Sequence, residues 1–215
     1  MQILKNIALW IFTVVVTLAI YNTWMPPISM PMVAHVFTFH HIERSYVPLK
    51  RMSPALTRAV IAAEDGKFCE HWGVDWKALG SAAREAVDEE RPSGASTITM
   101  QTTKNLFLWN GRSYVRKSLE VPMAIIMDLI WSKHLVMENY LNVAEFGNGI
   151  FGAEAASRHY FHKSARALTS YEAALLAATL PAPKRRNPAA PSGYMIGYAN
   201  SIAGRAGDVD ASCLR

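Results

Sequence analysis

Two adjacent carboxylates, Glu64 and Asp65, begin the part of the chain whose residue types could do chemistry. The apolar spacing before them predicts a helix that ends near residues 65–66, so both acids fall in its last turn. The carbonyl end of a helix disfavours negative charge by ~0.3–1 kcal/mol, which raises the pKa of a carboxyl group there. A raised pKa suits a general base working near neutral pH, although an exposed pair of acids at a helix end is also common.

A group of cations and hydroxyls further along the chain could hold an anion such as a phosphate. The cations are Lys104, Arg112, Arg116 and Lys117, and the hydroxyls are those of Ser96, Thr97 and Thr99. The hydroxyls stand at the predicted start of a helix, where backbone N–H groups also bind phosphate. Glu120 lies four residues after Arg116. By spacing alone these two would form an ordinary surface pair, worth only ~0.2–0.5 kcal/mol.

The segment from Glu64 to Asp75 gives the two carboxylates a specific context. It reads E-D-G-K-F-C-E-H-W-G-V-D and resembles the signature E-D-x-x-F-x-x-H-x-G-x-D of the peptidoglycan glycosyltransferase family. Three more segments follow in the family's order: residues 94–101 (G-A-S-T-I-T-M-Q), 116–120 (R-K-S-L-E) and 133–142 (K-H-L-V-M-E-N-Y-L-N). They resemble the family patterns G-x-S-T-I-T-x-Q, R-K-x-x-E and K-x-x-I-L-E-x-Y-L-N. Four ordered motifs are far more specific than any one of them.

The resemblance covers residues 58–188 and has departures. Met100 stands where many members have a second glutamine. The family's last pattern, an arginine followed by V-L near the domain end, is not clear in this chain, so the role of the stretch after Pro191 stays open. Family members with a second, penicillin-binding domain carry an S-x-x-K nucleophile motif. No serine of this chain is followed three residues later by lysine, so the chain resembles the monofunctional members.

The resemblance implies a mainly α fold: a lysozyme-like helical glycosyltransferase domain with a small membrane-proximal jaw subdomain, preceded by one transmembrane helix. It implies polymerisation of lipid II into glycan strands, with inversion at the anomeric carbon and release of undecaprenyl pyrophosphate. Glu64 would be the general base, and Glu120 would position the cations or assist the donor side. Residues implied in substrate binding are Ser96, Thr97, Thr99, Gln101, Lys104, Arg112, Arg116 and Lys117.

The same resemblance sets the expected partners and cofactors. Lipid II, the nascent glycan chain and the membrane bilayer are expected partners, while contacts with other cell wall synthesis proteins stay open. The formal charge of +5 alone would also fit nucleic acid, but an anchored, external location argues against it. The sequence requires no cofactor, and a divalent cation such as Mg²⁺ or Mn²⁺ at the pyrophosphate stays open.

Two rival functions remain at this stage. A lysozyme-like hydrolase would also use a carboxylate, but it has no need of a basic cluster for a pyrophosphate. A non-catalytic membrane scaffold or basic anion-binding module would tolerate neutral replacements at Glu64 and Glu120.

The elements that must position these residues begin with an apolar segment at residues 7–24. It contains no charge and would extend about 27 Å as a helix, close to the roughly 30 Å of hydrocarbon in a bilayer. A cleaved signal peptide is the alternative, but no small-x-small cleavage site follows. Lys5 lies on the short side, which favours a cytoplasmic amino terminus with the remainder outside. With this orientation, the family resemblance implies a single-pass inner-membrane protein with its catalytic domain in the periplasm.

The chain is predicted to begin with a cytoplasmic tip and transmembrane anchor at 1–25. A connector with short strands at 26–52, a glycosyltransferase domain at 53–190 and a tail at 191–215 follow. The helical pattern predicts caps at Ser53, Asp75, Ser113 and Thr169 and a loop at 146–149. Cys69 and Cys213 are far apart in sequence, so free or buried thiols are expected rather than a disulfide framework. His71, beside Cys69, is expected to make a structural hydrogen bond rather than act as a base or metal ligand.

Overall fold

The computed structural model describes residues 2–87, 94–109, 111 and 114–215, and these fold into a mainly helical protein. The helices are α1 (Gln2–Trp24), α2 (Met30–Phe37), α3 (Pro54–Glu64), α4 (Trp76–Val87), α5 (Ile98–Phe107), α6 (Tyr114–Ile130), α7 (Lys133–Val143), α8 (Ala153–Phe161), α9 (Ser170–Thr179) and α10 (Gly193–Ala206). Short 3₁₀ helices lie at Leu49–Arg51, Ala165–Ala167 and Ser212–Leu214. The strands are β1 (Glu43–Arg44), β2 (Glu145–Gly147) and β3 (Ile150–Phe151).

Several helices begin at the side-chain caps that the sequence predicts. The Ser53 hydroxyl accepts a hydrogen bond from the first turn of α3, and the Asp75 carboxylate accepts one from the N–H of Ala78 in α4. Thr169 and Glu172 cap α9 reciprocally, which confirms the predicted capping box. The cap expected at Ser113 lies outside the described residues.

Two packed groups of helices make the framework of the site. Helices α3, α9 and α10 pack against one another, and α5 packs between α6 and α7. Helix α9 is rich in alanine, and its residues 173–179 are all buried, so neighbouring helices approach it closely. Phe68, just after α3, is fully buried in the same core. The end of α3 is therefore held by packing of the helix itself and by the buried side chain of Phe68 that follows it.

The structure departs from the sequence prediction at three segments. The connector contains α2, which Ser29 caps, in addition to the short strand β1. The loop expected at 146–149 is part of a β2–β3 hairpin, and the sheet order is β1-β3-β2. A further helix, α10, follows Pro191. Its glycines, Gly193, Gly197 and Gly204, weaken the helical signal, and packing against α3 and α9 outweighs that low propensity.

The expectation of free or buried thiols is wrong, because Cys69 and Cys213 form a disulfide with a Cα–Cα distance of 5.6 Å. The partners are 144 residues apart in sequence, so their pairing depends on the chain fold and not on a local pattern. The 3₁₀ helix at Ser212–Leu214 brings Cys213 back beside the loop that follows α3. This disulfide therefore fastens the carboxyl end of the chain to the segment that carries the first motif.

Helix α1 packs against α6, and the indole of Trp131, the residue that follows α6, donates a 3.1 Å hydrogen bond to the Ala19 carbonyl. Within the part of the chain that the structure describes, no helix has both the length and the apolar character that crossing a membrane requires. The anchor expected at residues 7–24 stays a prediction.

Candidate active site

Glu64 is the last residue of α3, and Asp65 follows it as the helix cap. The buried Asp65 carboxylate accepts a 2.9 Å hydrogen bond from the backbone N–H of Ile98, at the start of α5. It also pairs with Nε2 of His71 at 2.9 Å. His71 thus has the structural role expected of it, and Cys69 is committed to the disulfide. Asp65 ties the carboxyl end of α3 to the amino end of α5, which fixes the backbone that carries Glu64.

A second contact joins the first motif to the second. The Thr97 hydroxyl donates a 2.6 Å hydrogen bond to the carbonyl of Gly73 and caps α5 by accepting from the N–H of Met100. Gly73 has a φ of +77°, and a Cβ there would lie 2.6 Å from the carbonyl oxygen of Ala124. Only glycine fits both the conformation and the close approach to α6. The glycine of the first motif therefore has a packing role.

The Glu64 carboxylate is half-buried and held by a side chain of α5. The Gln101 amide nitrogen donates a hydrogen bond of 2.7 Å to Oε2 of Glu64. The Tyr140 hydroxyl, from α7, donates one of 3.1 Å to the Gln101 amide oxygen. Burial raises the pKa of Glu64 above its ordinary value, and the hydrogen bond from Gln101 only partly offsets this shift. A carboxyl of raised pKa in a fixed position suits a general base.

Nearby charges also act on Glu64, with smaller effects than burial. Lys104 and Arg186 lower its pKa, and Asp65 raises it. The sequence argument attributed the raised pKa to the helix end alone. In the structure burial is the largest cause.

Glu120 lies in a cluster of cations on α6. It is only 3% exposed, and it pairs with Arg116 and, at 3.1 Å, with Lys117. The Lys117 ammonium also donates a 2.8 Å hydrogen bond to the Ser96 hydroxyl. The spacing of Arg116 and Glu120 suggested a surface pair, but burial makes this carboxylate part of a packed cluster.

Lys104 links the cation cluster to Glu64. Burial lowers the pKa of Lys104, the neighbouring charge of Arg116 lowers it further, and the charge of Glu64 raises it. Burial also lowers the pKa of Lys117, as do the charges of Arg116 and Lys104. Burial is the largest cause for both lysines, and repulsion among the cations adds to it. An anion with two or more charges would relieve this repulsion.

The other predicted site residues are placed differently. The Thr99 hydroxyl is buried and donates a 3.2 Å hydrogen bond to Asp128, which also pairs with Lys133 at 2.8 Å. Thr97 is engaged with Gly73, as described above. Thr97 thus connects the second motif to the first, and Thr99 connects it, through Asp128, to Lys133 of the fourth. Arg112 lies outside the described residues.

A cavity of about 280 Å³ opens beside this network. Its wall includes three of the residues described above, together with apolar and polar residues of neighbouring elements: Gln101, Lys104, Tyr140, Pro31, Asn105, Val143, Ala144, Glu145, Leu180, Pro181 and Pro183. A ligand in this cavity would contact the side chains that hold Glu64.

Three residues of the site were not among those predicted. Tyr140 belongs to the fourth motif, so its place in that pattern could have pointed to it. Arg186 and Tyr198 come from the end of the chain, where no motif is clear. The Arg186 guanidinium lies 5.5 Å from the ring centres of both Tyr194 and Tyr198. The charge of Glu64 contributes to raising the pKa of Tyr198, after the larger effect of burial.

Over the described ranges, no group of three or more histidine, cysteine, aspartate or glutamate side chains is arranged to hold a metal ion. His159 pairs with Glu43 at 3.0 Å.

Known proteins are similar to most of the chain. The family model described as "Transglycosylase" matches residues 32–206. This chain therefore belongs to the transglycosylase family, as its four motifs predicted. The enzyme class that the sequence predicted, a peptidoglycan glycosyltransferase, is confirmed at this level.

Individual relatives narrow the comparison to one kind of transglycosylase. The chain is 53% identical over 180 residues to a biosynthetic peptidoglycan transglycosylase of Brucella suis, covering 84% of this chain and 80% of the relative. It is 49% identical over 180 residues to the protein of that name in Agrobacterium fabrum, with the same coverage of 84% and 80%. A third, from Yersinia pestis, is 52% identical over 160 residues, covering 74% of this chain and 66% of the relative.

Proposed function

We propose that the protein polymerises lipid II into glycan strands, with Glu64 as the general base of the reaction. The observation that carries this proposal is the Glu64 carboxylate held by Gln101, together with the packed cluster of Arg116, Lys117 and Glu120. Lys104 feels the charge of both Glu64 and Arg116. A base and an anion site side by side suit a reaction in which a hydroxyl attacks and a diphosphate leaves.

In the proposed reaction, Glu64 removes the proton from the 4-hydroxyl of the incoming disaccharide. The resulting oxygen forms a bond to the anomeric carbon of the growing chain, and the bond from that carbon to the pyrophosphate oxygen breaks. Attack opposite the leaving group inverts the configuration. Positioned proton transfer of this kind is typically worth ~10² to 10⁴ in rate.

The cations would stabilise the negative charge that develops on the departing undecaprenyl pyrophosphate. The positive charges are those of Lys104, Arg116 and Lys117. The Ser96 hydroxyl fixes the position of the Lys117 ammonium. Glu120 contacts Arg116 and Lys117, so its proposed role is to orient these cations. Donors already in place cost little reorganisation as the charge develops.

A divalent cation such as Mg²⁺ or Mn²⁺ remains an expectation from the sequence and has no step in this mechanism. Glu120, the carboxylate of the cation cluster, is already paired with two cationic side chains. Mg²⁺ is usually held by carboxylate oxygens together with substrate phosphates and water. Among the described side chains, the Glu120 carboxylate is therefore assigned to orienting the cations, and the expected metal is not given a role.

We further propose that the protein works at the outer face of the inner membrane, anchored by residues 7–24. The Cys69–Cys213 disulfide supports an oxidising compartment such as the periplasm, because disulfides are rare in the cytosol. Apolar side chains exposed on α6, Leu129 at 69% and Val115 at 65%, support contact with a bilayer from which a lipid substrate is reached.

Incubation of the purified full-length protein with lipid II in detergent tests the activity. We expect polymeric glycan and free undecaprenyl pyrophosphate. One molecule of the lipid should be released for each new glycosidic bond. Soluble fragments released from preformed glycan, without polymer from lipid II, would instead show a lysozyme-like hydrolase and overturn the proposal.

A further inference from the structure

Tyr140 makes an indirect contact with the proposed base that the mechanism above does not use. It is fully buried on α7, and its hydroxyl donates a 3.1 Å hydrogen bond to Oε1 of Gln101. The other end of the same amide donates a 2.7 Å hydrogen bond to Glu64. The three side chains form a chain from α7 through α5 to the end of α3.

The chemistry of the three groups allows one orientation of the amide when Glu64 is ionised. A carboxylate only accepts hydrogen bonds, so the NH₂ end of Gln101 must face it. The carbonyl end then faces Tyr140, whose hydroxyl must donate. Burial raises the pKa of Tyr140 well above its ordinary value, and the charges of Glu64 and Asp65 raise it further, so the phenol keeps its proton.

The alternative amide orientation would favour the protonated form of Glu64. A turned Gln101 would present its carbonyl to Glu64, which could then donate a hydrogen bond from its own proton. That orientation would place the NH₂ group against Tyr140 and leave the phenol proton facing a donor. Since a buried donor without an acceptor is unfavourable, the Tyr140 hydroxyl disfavours this orientation.

We propose that Tyr140 is a positioning residue for the base: its hydroxyl holds the Gln101 amide in the orientation that stabilises ionised Glu64. The inference rests on the proposed role of Glu64 as the base. Tyr140 itself touches neither the reacting atoms nor the diphosphate in this account.

Other charged and titratable groups face Glu64 from the surrounding elements and must be kept constant in a test. They are Asp65 at the end of α3, Lys104 on α5, Arg186 after α9 and Tyr198 on α10. None of these is altered by removing the Tyr140 hydroxyl. A change in pH dependence on that removal would therefore report on the amide orientation.

The test is the pH profile of kcat/KM for lipid II polymerisation by the full chain with Tyr140→Phe. A base must be unprotonated to act, so activity rises with pH through the pKa of Glu64. Without the phenol, protonated Glu64 gains stability and this rise should occur at higher pH. From ~0.5–1.5 kcal/mol for one hydrogen bond, we expect a loss of about 2- to 10-fold at low pH and little loss at the high-pH plateau.

Tyr160→Phe is the matched control, because it also removes a phenol that donates to an acceptor, here the Phe146 carbonyl at 3.3 Å. Its profile should keep the wild-type shape. Gln101→Met removes the intermediate amide, so adding Tyr140→Phe to it should cause no further change in the profile.

Two outcomes would overturn the inference. One is an equal loss at every pH in Tyr140→Phe, which would indicate a packing role only. The other is that Tyr140→Phe shifts the pH profile by the same amount in the Gln101→Met background as in the wild type, which would exclude action through the amide. Full activity of Glu64→Gln would instead defeat the proposed base, so the two failures are distinguishable.

Discussion

The Lys117 ammonium donates a 2.8 Å hydrogen bond to the Ser96 hydroxyl and thereby joins α6 to the segment just before α5. The same ammonium lies 3.1 Å from Glu120, so two contacts fix its position. The second and third motifs, which are separate in sequence, meet at this point. A cation held from two sides is preorganised for an anion that enters between the helices.

Replacement of Lys117 by methionine should weaken handling of the diphosphate while preserving the fold. Loss of one charge-assisted hydrogen bond, worth ~1.5–3 kcal/mol, predicts a fall in kcat/KM for lipid II of about 10- to 100-fold. The measurement is the initial rate of polymerisation at subsaturating lipid II. Lys67→Met removes an exposed lysine of the first motif and is the control. Equal activity of both variants would contradict a substrate-binding role for Lys117.

The disulfide should contribute substantially to stability. Replacement of both Cys69 and Cys213 by serine removes a link between residues 144 apart, and such links typically contribute about 2–4 kcal/mol. We expect the free energy of unfolding to fall by this amount in urea titrations. Reduction of the wild-type protein should reproduce the effect, and the same reductant should leave the double variant unchanged. A midpoint insensitive to reduction in the wild type would show that the bond does not stabilise the fold.

Glu64 should reduce stability at neutral pH. Its pKa is raised in the folded protein above the value of about 4.3 expected when unfolded. The folded state therefore holds the proton more tightly, and stability is lost as pH rises from the unfolded toward the folded pKa. Glu64→Gln removes this cost, so its Tm should exceed that of the wild type at pH 8, and the gap should close near pH 4. Scanning calorimetry at the two pH values would measure it; a gap that widens toward pH 4 would contradict the raised pKa.

The local elements around the site were predictable because short-range chemistry defines them. Ser53, Asp75 and Thr169 cap their helices in the structure as their residue types and spacing predict. The four motifs pointed to the correct family. In the structure Gln101 and Tyr140 join the second and fourth motifs to Glu64, and Lys117 joins the third motif to Ser96 of the second.

Long-range contacts were not predictable from the sequence pattern. Cys213 meets Cys69 only after the chain end folds back, and α10 forms despite its glycines because α3 and α9 cover it. Arg186 reaches the surroundings of Glu64 from a segment without a recognised motif. Gln101 accepts a hydrogen bond from Tyr140, which is 39 residues away in sequence. In each case tertiary packing supplies information that a local pattern lacks.

The central claim is that the Glu64 carboxylate takes the proton of the attacking sugar hydroxyl. The most direct test is the rate of polymer formation from lipid II by Glu64→Gln, compared with Glu70→Gln, which neutralises an exposed acid of the same motif. We expect Glu64→Gln to lose at least ~10²-fold while retaining a folded state, and Glu70→Gln to keep the wild-type rate. Polymerisation by Glu64→Gln at the wild-type rate would contradict the account.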